Sequence, residues 1–420
     1  MSFYLGIDFG TSGARAIVIC DSGIIQFQDS LSFSASCLNL AQQWREVLYQ
    51  LLDRIPLHLK RQLAAIAIDG TSATVILGDK FGNPLDEPIL YNDDRGKIVL
   101  ERIKSIAPPN HPVISATSSL AKLYWWSTRS FYPQAHYFLH QADWLSYLLH
   151  GQLGVSDYHN ALKLGYDVEN LRYPDWLPGR DLLPRVLPPG TPVNNISPNL
   201  AQRFGINRDC LVCSGTTDSI AAFLAGGATQ EGEAVTSLGS TLVLKLLSST
   251  RVESSRYGVY SHRLGDLWLV GGASNTGGAV LRHFFTDEEL VQYSAEIDPS
   301  LWSGLVYYPL LRAGDRFPVN DPDLQPQLQP RPDNPVRFLH GLLESMARIE
   351  AQGYGRLQEL GATPLKKVYT AGGGAKNLTW QQIRHSYLKI PVMVSPHTEA
   401  AYGVALLAKG DVQSIYSEIK

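Results

Sequence analysis

Cysteine is scarce in this sequence, with four among 420 residues: Cys20, Cys37, Cys210 and Cys213. That is too few for a disulfide scaffold. Cys210 and Cys213 have C-x-x-C spacing, but no second pair follows and residues three apart on a strand face opposite sides, so both are read as small core residues. The eleven histidines are read as carrying no metal-ligand spacing, and no zinc site is expected. No uncharged run is long enough to span a bilayer, and the N-terminus lacks a basic region followed by an apolar core, so neither a membrane span nor a secretory signal is read. Charge is also modest. With 18% charged residues and a formal net charge of -3, the chain has no electrostatic footprint for nucleic acid or an anionic membrane. A cytoplasmic protein without nucleic-acid or membrane partners is expected.

What is present is a hydrophobic share of 44%, typical of a globular protein, in a chain too long for one ordinary core; two domains are the natural prior. Three aspartates stand beside small-residue turns at the ends of apolar runs: Asp8 in Leu5-Gly6-Ile7-Asp8-Phe9-Gly10-Thr11-Ser12-Gly13, Asp69 in Ile66-Ala67-Ile68-Asp69-Gly70-Thr71-Ser72, and Asp218 in Ser214-Gly215-Thr216-Thr217-Asp218-Ser219. A carboxylate there must be hydrogen-bonded or paired with a cation. The adjacent Gly, Thr and Ser let the backbone turn tightly and aim N–H groups and hydroxyls at an anion. Carboxylates for a metal beside amides for phosphates point to Mg-nucleotide chemistry.

The first thirty-odd residues read as a β-meander: Tyr4 to Asp8, Ala14 to Cys20 and Ile24 to Phe27. Leu40, Trp44, Val47, Leu48, Leu51 and Leu52 recur at helical spacing until Pro56. The strand ending at Asp69 is followed by a return strand at Thr74 to Leu77, and residues 96 to 150 read as mainly helical, with Leu123-Tyr124-Trp125-Trp126 as core packing. The proline-rich stretch 172 to 200 reads as a surface excursion. A strand ending near Ser214 and a helix after Asp218 lead to Leu224-Ala225-Gly226-Gly227-Ala228, small residues that suit a crossing between lobes. Ala234 to Leu244 then repeats the strand, Gly/Ser/Thr turn, strand plan of residues 4 to 18, so the two halves look like distant copies of one design. Beyond lie a strand at Trp268 to Gly271, a helix at Thr276 to Phe285, a long helix with Phe338, Leu339, Leu342, Leu343, Met346 and Ile349 on one face, strands at Lys367 to Thr370 and Val392 to Val394, and a small-residue helix from Glu399 to Ala408.

This arrangement resembles the FGGY carbohydrate kinases of the actin-like, ribonuclease H-like ATPase superfamily, over essentially the whole chain. The carrying pieces are the hairpin at Gly6 to Gly13, the strand-end Asp218 before an Ala-rich helix, the second hairpin at Gly239-Ser240-Thr241, and Gly372-Gly373-Gly374-Ala375-Lys376-Asn377. The resemblance implies an α/β fold of two similar lobes with a nucleotide and sugar cleft between them: an N-terminal lobe at 1–225 with the C-terminal helix 399–420 packing on it, and a C-terminal lobe at 226–398. It implies ATP and Mg2+, with Asp8 and Asp218 as metal carboxylates. Gly10, Thr11, Ser12 and Gly13 face the phosphates, as do Gly239, Ser240 and Thr241. Gly277 and Gly278 match a helix start under the adenine, and Gly373, Gly374 and Asn377 match the adenosine loop. Asp218 falls where the family keeps its general base.

The chemistry agrees with those residue types. Phosphoryl transfer asks mainly for positioning and for neutralisation of spread negative charge, and the attacking hydroxyl must lose a proton. Ser72, Asp93, Arg95, Lys163, Thr217 and Asp218, with Asp8, supply donors and acceptors suited to a small-molecule sugar. Xylulose kinases usually carry a Met-His-Gly type turn where this chain has Asp69-Gly70-Thr71-Ser72. That run, Tyr91-Asn92-Asp93-Asp94-Arg95 and Asn160-Ala161-Leu162-Lys163 look more like the ribulose kinase branch. A ketopentose, D-ribulose first, is the expected substrate of a monomer or homodimer; a xylulose or other polyol kinase, and a sugar-binding or actin-like ATPase protein with little transfer, are the alternatives. A chaperone-type ATPase would carry a β-domain and helical lid after residue 420, which this sequence does not supply. Two departures from the family stand out. The chain is shorter than most members, and His283 stands where relatives often have tryptophan, so modest sugar affinity is expected.

Overall fold

A computed structural model describes residues 2–34 and 39–410; Cys37, and the part of the expected C-terminal helix at 411–420, lie outside the described residues. The chain divides into two compact units. One runs to Ala225 and includes the segment that starts at Glu399; the other is Gly226–Thr398.

The first unit contains strands β1 (Phe3–Phe9), β2 (Gly13–Cys20), β3 (Ile25–Ser32), β4 (Leu63–Gly70), β5 (Val75–Gly78), β6 (Tyr137–His140), β7 (Val155–Asp157), β8 (Arg185–Leu187), β9 (Pro192–Asn195), β10 (Leu211–Cys213) and β11 (Thr216–Thr217). The main sheet has the order β3-β2-β1-β4-β10-β9, with β11 also on β4. β1 to β3 form the antiparallel meander, whereas β4 lies parallel to β1, and β10 and β11 parallel to β4. Coverage explains the sequence patterns. β4 is covered on both faces and is almost continuously apolar, while β3 alternates half-buried and exposed residues as a one-sided strand does.

One face of this sheet packs Leu5, Ile7, Phe9, Ile66 and Ile68 against Trp44, Leu48, Leu51 and Leu52 of the helix Leu40–Arg54. Asn39 caps that helix by accepting from the Gln42 N–H, and Pro56 lies beyond its end. The helix Ala400–Lys409 packs on β1 and on the helix Asp218–Ala225. Only small residues permit that approach: a Cβ on Gly6 would lie 2.1 Å from the Ala401 carbonyl oxygen, and one on Gly403 1.9 Å from that of Ala221.

The second unit contains β12 (Glu233–Leu238), β13 (Leu242–Ser248), β14 (Tyr260–Leu264), β15 (Leu267–Ser274), β16 (Lys367–Ala371) and β17 (Val392–Val394), in the order β14-β15-β13-β12-β16-β17. β12 and β13 are antiparallel, β16 is parallel to β12, and β17 is parallel to β16. The core plan of the first sheet is thus repeated. The 25-residue helix Pro335–Glu359 buries Phe338, Leu339, Leu342, Leu343, Met346 and Ile349 as one stripe.

Several local expectations are corrected. Thr74 to Leu77 is not a return strand of the main sheet; β5 pairs with β6 in a separate two-stranded sheet. β6 also interrupts the stretch read as helical, because Phe138, Leu139 and His140 are buried and period alone cannot separate a short buried strand from a helix. The proline-rich stretch is partly structural. β9 joins the main sheet beside β10 and β8 pairs with β7, Pro192 standing at the start of an edge strand where its missing N–H costs least. No described helix is long and apolar enough to cross a membrane.

Candidate active site

Parallel pairing of β1 with β4 sets Asp8 opposite Asp69, and pairing of β11 with β4 sets Thr216 opposite Asp69 and Thr217 opposite Gly70. Asp218, the next residue, opens the helix Asp218–Ala225, and one of its carboxylate oxygens accepts from the Ser219 N–H at 2.7 Å. The three aspartates are therefore neighbours at the C-terminal ends of adjacent strands. The turn after β1 is closed by Gly10 N–H donating to the Gly13 carbonyl at 3.0 Å, which leaves Thr11 and Ser12 exposed at its tip.

Asp69 is fully buried. Its Oδ1 accepts from the Phe9 N–H at 3.3 Å, while Oδ2 has no hydrogen-bond partner among the described residues. Burial, then the adjacent Asp8 carboxylate and the charge of Asp218 push its carboxyl well above the usual range. Burial also raises Asp8, opposed by the neighbouring Asp69 carboxyl and by the charge of Arg15. Arg15 is itself shared, since it ion-pairs with Glu399. A cation at this rung would oppose both upward shifts.

No three His, Cys, Asp or Glu side chains among the described residues converge closely enough to hold a metal by themselves. Mg2+ does not require that, because it keeps several waters and takes one or two carboxylates plus phosphate oxygens. The donor set and the unpartnered Asp69 oxygen fit it.

The turn after β4 is rigidly held. Thr71 donates its N–H to Gln141 Oε1 at 3.0 Å, Thr71 and Thr74 share a hydroxyl hydrogen bond, and Thr74 Oγ1 accepts from the Tyr91 N–H at 3.0 Å. Ser72, at its tip, is half-buried, and its hydroxyl has no hydrogen-bond partner among the described residues. Asp93 and Arg95 are bound to each other, with Arg95 Nε 2.9 Å from Oδ1 and Nη2 2.6 Å from Oδ2, a fork that lowers the Asp93 carboxyl. Lys163, in the turn Leu162–Leu164, has no ion pair among the described residues.

Asp157 and His159 carry no role in the sequence reading, and Asn160 enters it only through the run Asn160-Ala161-Leu162-Lys163, yet all three support the site. His159 Nδ1 lies 2.8 Å from Thr216 Oγ1, and Asn160 Nδ2 donates to the Thr216 carbonyl at 3.1 Å and to Asp157 Oδ2 at 2.6 Å. Asp157, accepting from the His159 and Asn160 N–H groups, is an Asx cap whose pattern is visible in the sequence, but Thr216, the partner of His159 and Asn160, lies more than fifty residues away. Asn160 Oδ1 and Thr217 Oγ1 are buried without partners, like Asp69 Oδ2. Such atoms gathered around one strand end mark a place for a polar ligand.

In the second unit three glycine segments meet at the end of β12. Gly278 N–H donates to the Gly239 carbonyl at 2.8 Å and Ala279 N–H to that of Ser240 at 3.1 Å. Gly277 has φ +145°, and a Cβ there would lie 2.8 Å from the Ser240 oxygen; one on Gly374 would lie 2.7 Å from Leu238 Cβ. A Cβ on Gly373 would meet nothing within 4 Å. Thr241 flanks the same turn. Asn377 caps the helix Leu378–Leu388, accepting from the Trp380 N–H at 2.9 Å and donating to Ser294 Oγ at 2.8 Å.

The cysteine reading agrees with burial: Cys210 and Cys213 are buried thiols that burial pushes up to about 12. One spacing passed over in the sequence is His136-Tyr137-Phe138-Leu139-His140. Tyr137 to His140 form a strand rather than a helix, and His140 is taken up by Asp143, Ser156 and Ser119.

The fold is a two-domain α/β fold of the actin-like ATPase kind. Family models for the N-terminal and C-terminal domains of the FGGY family of carbohydrate kinases match residues 3–225 and 234–409, so the chain belongs to that family and is an ATP-dependent sugar kinase. The second match runs through the helix Ala400–Lys409, which here packs on the first unit. By sequence the chain is similar to the xylulose kinase of Staphylococcus xylosus (23% identical over 442 residues, 97% of this chain and 90% of that protein). It is also similar to the gluconokinase of Bacillus subtilis strain 168 (22% over 468 residues, 98% and 89%). Among solved structures, a xyloylose kinase from Brucella ovis superposes with a TM-score of 0.83 at 20% identity, covering 99% of this chain and 92% of that one. Glycerol kinase of Plasmodium falciparum with ADP gives 0.82 at 17%, covering 99% and 90%.

Proposed function

We propose that the chain transfers the γ-phosphoryl group of Mg-ATP to a hydroxyl of a ketopentose, D-ribulose preferred, giving D-ribulose 5-phosphate and ADP. The observation that carries the reading is the meeting of Asp8, Asp69 and Asp218 at adjacent strand ends, with the Ser72 turn directly after Asp69. Asp218 takes the proton of the attacking hydroxyl. Asp8, backed by Asp69, and Asp218 would hold Mg2+, and the ion would neutralise charge on the transferring group. Thr11 and Ser12 with the amides around Gly10 and Gly13 face the phosphates. In the second unit, Gly239, Ser240 and Thr241 offer backbone donors suited to phosphate, and Gly277, Gly278, Gly373, Gly374 and Asn377 shape a site for adenosine. Ser72, Asp93, Arg95, Lys163 and Thr217 hold the sugar.

Phosphorylation of D-xylulose is the second reading, favoured by the names of several relatives. ADP release measured with D-ribulose, D-xylulose, L-ribulose, glycerol, gluconate and no sugar separates the two. D-ribulose should give the highest kcat/KM; a higher value for xylulose would overturn the ribulose reading and leave the kinase. Release that is the same with and without every sugar would remove the transfer reading altogether.

A further inference from the structure

Lys122 lies in the middle of the helix Ser119–Trp126, inside the apolar run Leu120-Ala121-Lys122-Leu123, and its side chain is completely buried. It makes no ion pair among the described residues. Its ammonium instead donates to two carbonyls, that of Ala73 at 2.7 Å and that of Leu90 at 2.6 Å. Where those carbonyls lie explains the lysine.

Val75 and Ile89 form an antiparallel bridge, exchanging both backbone hydrogen bonds at 3.0 Å. Beyond that bridge the two segments part, one toward Ser72 and the other toward Asp93 and Arg95. Ala73 is a non-glycine residue with φ 65°, so the ladder cannot simply continue through it. The groups exposed by the parting need partners. Thr74 Oγ1 takes the Tyr91 N–H, and Lys122 takes both carbonyls.

We propose that Lys122 is a positioning residue for the acceptor sugar, its ammonium fixing the spacing between the Ser72 turn and the segment that carries Asp93 and Arg95. A methionine or leucine would fill the same volume, but only a multivalent donor joins two carbonyls on separate segments. The groups of the sugar site reach it electrostatically: burial pushes its amine down to about 7, Asp93 opposes that shift, and Lys163 and Arg95 add to it.

The inference rests on the reading that Ser72 contacts the sugar, and a double-mutant cycle keeps the two apart. Lys122→Met, Ser72→Ala and the double variant are assayed for the KM of D-ribulose and of ATP. Lys122→Met should raise the sugar KM about tenfold, the scale of one lost hydrogen bond to a charged group, and change the ATP KM by less than about twofold. In the Lys122→Met background, Ser72→Ala should lose most of its own effect, because the turn is no longer held. Full multiplication of the two effects, or a rise in ATP KM equal to that for the sugar, would overturn the positioning role. If Ser72→Ala alone leaves the sugar KM unchanged, the Ser72 reading fails instead. Should Lys122→Met not fold, Lys122→Gln, which keeps a donor with shorter reach, is judged by the same criteria.

Discussion

The two units share a core plan, an antiparallel hairpin whose first strand has a parallel neighbour, and carry opposite chemistry at the same rung. In the first, the penultimate residue of β1 is Asp8 and its parallel neighbour on β4 is Asp69; in the second, the penultimate residue of β12 is Ser237 and its neighbour on β16 is Ala371. The second unit keeps its charge one layer inside. There Arg384 donates to Glu350 through Nε at 2.6 Å and Nη2 at 2.7 Å, and to Thr370 through Nη1 at 2.6 Å, while Thr236 also donates to Glu350. Every charge in that cluster is answered by protein, whereas Asp69 keeps an oxygen unanswered. A satisfied buried network specifies structure; an unsatisfied one at a strand end marks a ligand.

The sharpest way to break the comparison is to remove the acids. Asp218→Ala should lower sugar-dependent turnover by ~10² to 10⁴ while the protein stays folded, the usual worth of a general base. Asp8→Ala should depress both sugar phosphorylation and any sugar-independent ATP hydrolysis, because phosphate charge is left unneutralised in both. ADP release with and without sugar measures the contrast. Equal loss of both activities in the two variants would mean that the roles of Asp8 and Asp218 are wrongly divided.

The converse change belongs to the second unit. Arg384→Leu strands the buried Glu350 carboxylate and should cost about 3 to 5 kcal/mol, as loss of one partner of a buried pair does. The double variant Arg384→Leu with Glu350→Leu should recover much of that loss. Chemical denaturation followed by tryptophan fluorescence reads both, and a single variant as stable as wild type would show that the network is not structural.

Acid should find the first unit's weakness elsewhere. His150 is buried at the end of the helix Gln141–His150, its Nδ1 accepts from the Gln152 N–H at 3.0 Å, and burial lowers its pKa to about 4. The folded value lies below the unfolded one, so the native state binds fewer protons. The contribution is intact above pH 6.5 and is lost as pH falls toward 4, amounting to roughly 3 kcal/mol at ~1.36 kcal/mol per unit. Asp8 and Asp69, with raised values, run the other way and lose stability as pH rises from the ordinary carboxylate range. His150→Gln should therefore flatten the fall in Tm between pH 6.5 and 4; an unchanged slope would remove His150 as its cause.

Much of this architecture is legible in the sequence because it is written in local patterns. The meander, the stripe of Phe338 to Ile349 and the turns after Phe9 and Leu238 each follow from period and turn chemistry. What escapes is whatever depends on pairing across long separations. Asp69 can be recognised as a strand-end acid, yet only the register with Asp8 shows that it shares that residue's rung. Asn160 and His159 support Thr216 from more than fifty residues away, and Lys122 joins Ala73 and Leu90 from a helix that reads as plain core. The strands β6 and β9 were hidden for another reason. One is a short buried run without alternation, and the other is an edge beginning at a proline.

The smallest expected effect tests whether the second unit works through bare backbone. At Gly373 the structure has room for a Cβ and no left-handed φ, so Gly373→Ala should leave Tm unchanged or raise stability by about 0.4 to 1 kcal/mol through the unfolded chain. If the adenosine lies against this loop, the added methyl intrudes on ligand rather than on protein. The KM for ATP should then rise several-fold, with the KM for sugar unchanged. Gly278→Ala is the control that separates the two causes, because its Cβ would lie 2.7 Å from the Gly239 oxygen and should lower Tm as well as affinity. An ATP KM that does not move in a folded Gly373→Ala variant would take this loop out of the nucleotide site, and the acid rung of the first unit would then be the only part of the comparison tied to chemistry.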